Sequence, residues 1–361
     1  MSSLPPTFIP EWTDRRTSEQ LEYRRLGLTD MFVSTLSLGG AHVSKDLVFS
    51  ADGSQLLSGY QNVVQSIRKT IQSGINFIDT SPFYGCGKAE LVLGKALEGI
   101  PRNAYYLATK VGRKPDCTFD YSSEWIVQSF ELSLKKLGVD YLDLLHVHDV
   151  EYSDDIDIVI NETLPALDKL RQQKKVKYIG ITGYPLHTLK EIVERSEVKL
   201  DVVLSYCRIT PFDQTLLQYL PFFKDQKLGV INAAVLGMGL LTPGNHVPYW
   251  HAAHTTIKEA CSRAVTYCND RNVNIAKLSV YYALQQKGID THLIGMEDEN
   301  ALKANLEVMI NGLNEKEKAV LQEITTNIFS NLDVRHWEGV ELKRYRTDPK
   351  EFQRFLLGGK P

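Results

Sequence analysis

A closed α/β barrel of eight parallel strands, the (β/α)8 or TIM architecture, is the fold this sequence predicts, on three observations. Strand-like runs and helix-like stretches alternate about eight times between TLSLGG and THLIG, the pattern of a parallel ring wrapped by helices. Asp79, Lys110 and His148 stand at or just past the ends of three different runs, NFIDT, YYLATK and DLLHVH, with Tyr84 a short loop beyond the first. In a barrel those ends share one face, the face that carries chemistry. No GxGxxG follows an early strand, which lowers the runner-up, an open doubly wound sheet.

Residues 1–21 are rich in Pro, Ser and charge without periodicity and read as an irregular arm. In YRRLGLTDMFVSTLSLGG, Gly27 and Thr29-Asp30 punctuate two short β-like runs, a hairpin leading into a first barrel strand that ends at Gly39-Gly40. Val64, Ile67 and Ile71 then recur at helical spacing, and Gly74 stops that helix before INFIDT. The unit repeats: AELVLGKALEG precedes AYYLATK, 123–137 precedes YLDLLHVH, ETLPALDKLRQQ precedes KYIGITG, LHTLKEIVERS precedes DVVLSYC, and QTLLQYLPFFKDQ precedes LGVINAA. After the seventh strand an extra helix is expected from Thr255 to Asn269; IAKLSVYYALQQKG, THLIG and NALKANLEVMI complete a barrel of about 22–312. The remainder, 313–361, with Trp337, Tyr345 and alternating charges, reads as too polar for core and as a tail laid over one barrel face. The whole of 1–361 reads as one barrel domain.

With 361 residues and 43% hydrophobic content the chain can bury a large core. A net charge of −3 and a pI near 6.3 leave no basic footprint for nucleic acid or an anionic membrane, so a small-molecule substrate is the expected partner. Five scattered cysteines without a CxxC pair suit free thiols in a reducing compartment. The opening residues carry no apolar stretch and no later segment reaches membrane-spanning length, which makes the cytoplasm the expected address. No heptad or long apolar edge stands out, which favours a monomer.

Taken together, INFIDTSPFYG, LATKVG, YLDLLHVH, IGITG and VLGMGLLT resemble the aldo-keto reductase family over roughly 22–312. SLGGAHVS, FDYSSEWI and PYWHAA are most similar to its L-galactose dehydrogenase-like, sugar-oxidising members. The resemblance implies NAD(P)-dependent hydride transfer, with Asp79, Tyr84, Lys110 and His148 as a catalytic tetrad. The residue types suit that chemistry. A free phenol titrates near 10 and transfers protons poorly at neutral pH; an ammonium at Lys110 is expected to lower that value, and Asp79 to hold the ammonium charged. His146 and His148 alternate on one strand face. The family's histidine lies five residues beyond the strand aspartate, here Asp143, which selects His148 for orienting the substrate carbonyl. An HxH pair is also a metal-ligand pattern. It lies here on the fourth strand, with the other histidines mostly in loops or helices, so no metal is expected.

For the cofactor, the resemblance places Thr182-Gly183 where the family has a Ser-Asn pair at the nicotinamide carboxamide. Ser205 is expected to make up for the missing amide. The backbone of Leu236, Gly237 and Gly239 is expected to line the pyrophosphate, glycine permitting close approach. Ala233 replaces a frequent stacking aromatic. At the adenosine end, Gly295, Glu297 and Asn305 fall in the family's phosphate-binding segment. Glu297, Asp298 and Glu299, with Ala301 at the usual arginine position, predict NAD over NADP, since acids repel a 2′-phosphate and accept from a ribose hydroxyl. The bland alternative is an acidic helix start. Substrate contacts are expected from His42, Phe83, Asp149, Arg208, Trp250 and His251, with Tyr249 in the same insertion. Asp149, where many relatives carry Trp, is expected to serve as an acceptor for a polyol. Oxidation of a sugar hemiacetal is the first reading. NADPH-dependent reduction of an aldehyde or ketone, such as a steroid-like carbonyl, is the second, and a non-catalytic redox-sensing subunit or a metal-dependent hydrolase are rivals of other classes.

Overall fold

A computed structural model describes residues 4–45, 47–50, 53, 55–244, 247–248 and 250–356. Eight strands close into a ring in chain order: β1 Leu36–Gly39, β2 Phe77–Asp79, β3 Tyr106–Val111, β4 Leu142–Val147, β5 Val176–Gly183, β6 Val202–Tyr206, β7 Gly229–Ala233 and β8 Thr291–Ile294. Each pairs in parallel with its neighbours, and β8 returns to β1 through His292↔Leu36, Leu293↔Ser37 and Ile294↔Leu38. The helices between them are α1 Gln61–Gln72, α2 Ala89–Leu97, α3 Ser123–Leu137, α4 Leu164–Gln172, α5 Leu186–Arg195, α6 Leu216–Asp225, α7 Thr255–Asn269 and α8 Ile275–Leu284, followed by α9 Glu299–Asn311. The helix expected after the seventh strand is α7.

Strand residues are apolar on both faces because helices cover the outside and side chains fill the inside. Phe77, Ala108, Leu144, Val202, Leu204, Ile231 and Leu293 form the inner cluster, whereas Ile78, Leu107, Leu145, Val203 and Val230 join the layer beneath the helices. The alternation decides which polar residues reach the barrel axis. Asp79, Lys110, His146 and Thr182 continue the inward rows; Ser205, Asn232 and His292 continue the outward ones.

The hairpin of Tyr23–Arg25 and Phe32–Ser34 seals the end where the strands begin, its Leu26, Met31 and Val33 packing into the inner cluster. Gly27, at φ +56, lies against the start of β7 so closely that a Cβ there would fall 2.2 Å from the Gly229 nitrogen.

The C-terminal segment departs from its polar reading. It forms α10 Glu315–Glu323, a π-helical turn Ile324–Phe329, α11 Val340–Thr347 and α12 Pro349–Leu356. Val320, Ile324, Phe329 and Trp337 are buried with α7 and α8 residues such as Ile257, Cys261 and Leu278 in a second cluster. Average polarity concealed this, because a helix needs only one apolar stripe to join a core. A longer helix than expected also precedes β5, beginning at Ile156–Ile158 and passing through a π-helical stretch, Val159–Thr163, before Pro165.

Gly27→Ala is expected to lower unfolding free energy by about 2 kcal/mol or more, through a strained positive φ and overlap with rigid backbone. Denaturant titration of the purified variant checks it.

Candidate active site

At the strand ends opposite the hairpin, Lys110 is 1% exposed, and its Nζ donates to Asp79 Oδ1, to the Thr80 carbonyl at 2.8 Å and to the Tyr84 hydroxyl at 3.2 Å. Strand register builds the contact: Asp79 lies opposite Ala108, and Lys110 follows two residues on, on the same face. The loop SPF then turns Tyr84 back over the lysine. Burial pushes the ammonium down, but Asp79 and Tyr84 outweigh it and hold Lys110 protonated.

The phenol departs from expectation. Burial raises the Tyr84 pKa more than Lys110 lowers it, so the phenol stays protonated at neutral pH. The inference from Lys110 alone had omitted the cost of placing a phenolate where water is scarce.

His148 stands with its ring perpendicular to that of Tyr84, centroids 5.7 Å apart. Its Nδ1 is 3.0 Å from Ser81 Oγ, and that oxygen accepts from the Phe83 N–H at 3.1 Å. With the Ser81 proton turned toward Nδ1, the imidazole hydrogen falls on Nε2. Burial, then Lys110 and Arg113, push His148 well below the usual imidazole value, so the ring is neutral. His146 lies one layer deeper, its Nε2 3.9 Å from Asp79 Oδ2, and Gly180 makes room for it, since a Cβ there would fall 2.4 Å from Nδ1. Among the described residues no group of three His, Cys, Asp or Glu stands where it could hold a metal ion.

Several expected mouth residues have other duties. Asp149 is 2% exposed, adopts φ +47 and is ion-paired with Arg113 at 2.6 Å, so it is no free acceptor. Its backbone N–H donates to Thr182 Oγ1 at 3.1 Å. The Arg113 guanidinium lies 3.5 Å from the centroid of the Phe83 ring. Arg208 is buried and paired with Glu338 at 2.8 Å. His251 is a brace: Nδ1 accepts from the Ala253 N–H and Nε2 donates to the Gly237 carbonyl, each at 3.0 Å, while its ring meets Trp337. Trp250 stacks on His251, and its carbonyl accepts from Arg344 at 2.8 Å. His42 is exposed on the turn Gly40–His42 after β1. Tyr249 lies outside the described residues.

The cofactor expectations divide in the same way. Thr182 faces inward beside the tetrad, and Gly183 is needed because a Cβ would fall 2.7 Å from Glu151 Oε2. Ser205 was misplaced: it points outward into the helix layer, in register with Asn232, and its hydroxyl is buried without a partner. The alternation with inward Leu204 carried that signal. Leu236 opens a turn in which Gly237, Met238 and Gly239 have φ +60, +54 and +103. Asn305 Nδ2 donates to the Gly295 carbonyl at 3.4 Å, and Glu297 folds back beside Gly295. Asp298 caps α9 through the Asn300 and Ala301 N–H groups, and Glu299 pairs with Lys69 at 2.5 Å. Of the three acids, only Glu297 lacks such a structural role.

The sequence reading missed Ser81, Arg113, Glu151, Tyr152, Tyr184, Tyr206 and Glu341. Ser81 and Arg113 each sit one short step past a residue it named; Glu341 comes from the tail. A surface groove of about 690 Å³ lies elsewhere, between α2 and α3 on the outer wall, lined by Lys95, Arg102 and Lys136 among others.

Compared with known proteins, residues 51–326 match the model of the Aldo/keto reductase family. The chain is 39% identical over 290 residues to L-galactose dehydrogenase of Arabidopsis thaliana, covering 80% of this chain and 88% of that protein. To D-arabinose 1-dehydrogenase of Saccharomyces cerevisiae it is 32% identical over 324 residues, 84% and 93% of the two chains. An aldo-keto reductase from Bacillus halodurans in its holo form superposes with a TM-score of 0.66 at 24% identity, over 84% of this chain and 96% of that one. A glycerol dehydrogenase from Gluconobacter oxydans gives 0.65 at 21%, over 87% and 98%. At those identities the structural likeness speaks to the fold alone.

Burial pushes His251 down to about 4 and His292 to about 3. Between the ordinary imidazole value of about 6.5 and those values, the unfolded chain binds protons that the folded chain refuses, so stability is lost as pH falls through that window. Denaturant midpoints measured from pH 7 to 4 are expected to drop, with a shallower slope in His251→Gln. An unchanged slope removes His251 as a source.

Proposed function

The chain belongs to the aldo/keto reductase family, and on that premise we propose that it oxidises sugar-like alcohols or hemiacetals with NAD, Tyr84 being the general acid–base. As an enzyme of this family it is an oxidoreductase using a nicotinamide cofactor. The observation that carries the proposal is the Lys110 amine touching both Asp79 and the Tyr84 hydroxyl at the strand ends.

The residues present fit a dinucleotide. Thr182 offers a hydroxyl beside the tetrad, the left-handed turn of Gly237–Gly239 after Leu236 leaves room for close approach, and Asn305 and Gly295 stand together near the start of α9. When bound, the nicotinamide supplies or accepts the hydride. Tyr84 donates its proton to a developing alkoxide in reduction. In oxidation the same group has to take the hydroxyl proton as phenolate, and the Lys110 ammonium offsets part of the burial that disfavours that form. His148, neutral and protonated on Nε2, donates to the same oxygen and orients it. Asp79 and the Thr80 carbonyl keep Lys110 charged and in place.

The sugar reading draws support from the names of the relatives and from a polar mouth holding Arg113, Asp149 and Glu151. The NAD preference rests on Glu297 and on Ala301 in place of a cation, with less weight on Asp298 and Glu299 than the sequence alone gave them.

Tyr84→Phe is expected to reduce turnover by at least about a hundredfold, the usual reach of a positioned acid–base group, while dinucleotide affinity by fluorescence titration stays within about twofold. Retained turnover refutes the assignment. Separately, kcat/KM with NAD is expected to exceed that with NADP by about tenfold or more; a preference for NADP overturns the reading of the adenosine end.

A further inference from the structure

The family match ends at residue 326, yet the chain continues into α11, which reaches the catalytic mouth. Trp337 anchors it: 1% exposed, it stacks on Tyr184 with centroids 5.0 Å apart. Further along, Tyr345 meets Phe119 at 5.1 Å and Tyr152 at 5.4 Å, both rings belonging to loops after β3 and β4. One helical turn beyond the tryptophan, Glu341 comes off this docked segment.

The charge of Glu341 is felt at Arg113, Asp149, Glu151, Tyr152 and Tyr206. Arg113 is paired with Asp149, whose Oδ2 lies 3.7 Å from His148 Nε2, and the tail carboxyl lies within electrostatic reach of that pair. Tyr206 is the inward residue at the end of β6, by alternation with Val202 and Leu204. Among the described residues no lysine or arginine forms an ion pair with Glu341; the Trp337 indole stands beside it as a donor, and Arg113 and Arg344 act on it at longer range. Glu151 Oε2 is also buried without a partner. Glu151, Glu341, Trp337 and Tyr152 border a small cavity of about 10 Å³, the size of one water or one hydroxyl. Burial, then Asp149, pushes Glu151 well up, and burial raises Glu341 too, which favours the neutral form of this carboxyl pair. The two carboxyls, with Glu151 Oε2 unpartnered, over an aromatic floor form a surface suited to hydroxyl groups.

We infer that Glu341, delivered by the C-terminal helix α11, is a specificity-determining residue that accepts a hydrogen bond from a hydroxyl of a polyhydroxylated substrate, with Glu151 as its partner in that subsite. The inference rests on the sugar reading, since only a substrate with hydroxyls away from the reacting carbon can use it.

The test compares wild type, Glu341→Gln and Glu341→Asp on a panel of aldohexoses and aldopentoses and, in reduction, on benzaldehyde, which has no hydroxyl. NADH affinity is measured by fluorescence, and limited proteolysis reports whether the tail stays docked. Glu341→Gln is expected to raise KM for the preferred aldose by about tenfold, with kcat changed less, while KM for benzaldehyde and NADH affinity stay within about twofold. Glu341→Asp should recover part of the aldose KM. An equal loss on aldose and benzaldehyde, or a freed tail in both variants, makes the residue structural and overturns the inference. So does wild-type aldose activity with no selective change in Glu341→Gln. Wild-type enzyme that turns over benzaldehyde but no aldose removes the sugar reading itself, and the ligand assigned to Glu341 falls with it.

Discussion

One ammonium group organises this molecule. Lys110 is nearly without water, and a charge there is tolerable only if its donors are satisfied and an opposite charge lies in contact. Asp79 meets the second requirement, and the Thr80 carbonyl and Tyr84 hydroxyl help meet the first. Those partners come from one neighbouring strand end and the loop after it. A closed ring with fixed register is what holds them in reach, so the barrel's closure and the placing of Tyr84 are one constraint seen at two scales. The rest of the mouth repeats the same logic: Arg113 is buried against Asp149, Arg208 against Glu338, and each carboxylate thereby fixes a loop.

The order of strands and helices was legible because each unit carries its own period and its own glycine stop. The four central side chains were legible because strand ends converge in a barrel whatever lies between them. Ser205 failed for a reason the sequence also held: one residue along a strand reverses the face, and Leu204 was the inward neighbour. Asp149 and His251 could not be read, since their partners, Arg113, Gly237 and Trp337, are brought to them only by folding. The tail was hidden by averaging. Its polar residues outnumber the few apolar ones that matter, and nothing local tells a solvent-facing Trp337 from one that stacks on a barrel tyrosine.

The acid-rich side of the mouth sets an electrostatic tone that sequence composition did not convey. Asp149, Glu151 and Glu341 gather around Arg113, with Arg344 also in electrostatic reach of Glu341, so this rim is rich in carboxyls although the chain as a whole is near neutral. Burial raises all three, which moderates the repulsion by keeping Glu151 protonated. The same acids would disfavour anionic ligands at that rim, in keeping with a neutral, hydroxylated substrate.

The hairpin that stoppers the strand-starting end has a consequence for traffic. With Leu26, Met31 and Val33 filling that end and Gly27 pressed onto the β7 backbone, the described residues leave no path through the axis. Every molecule that visits Tyr84 must enter and leave by one doorway, so whatever sits deeper has to arrive first and depart last. A queue of that kind ties the inner guest's departure to that of the outer one.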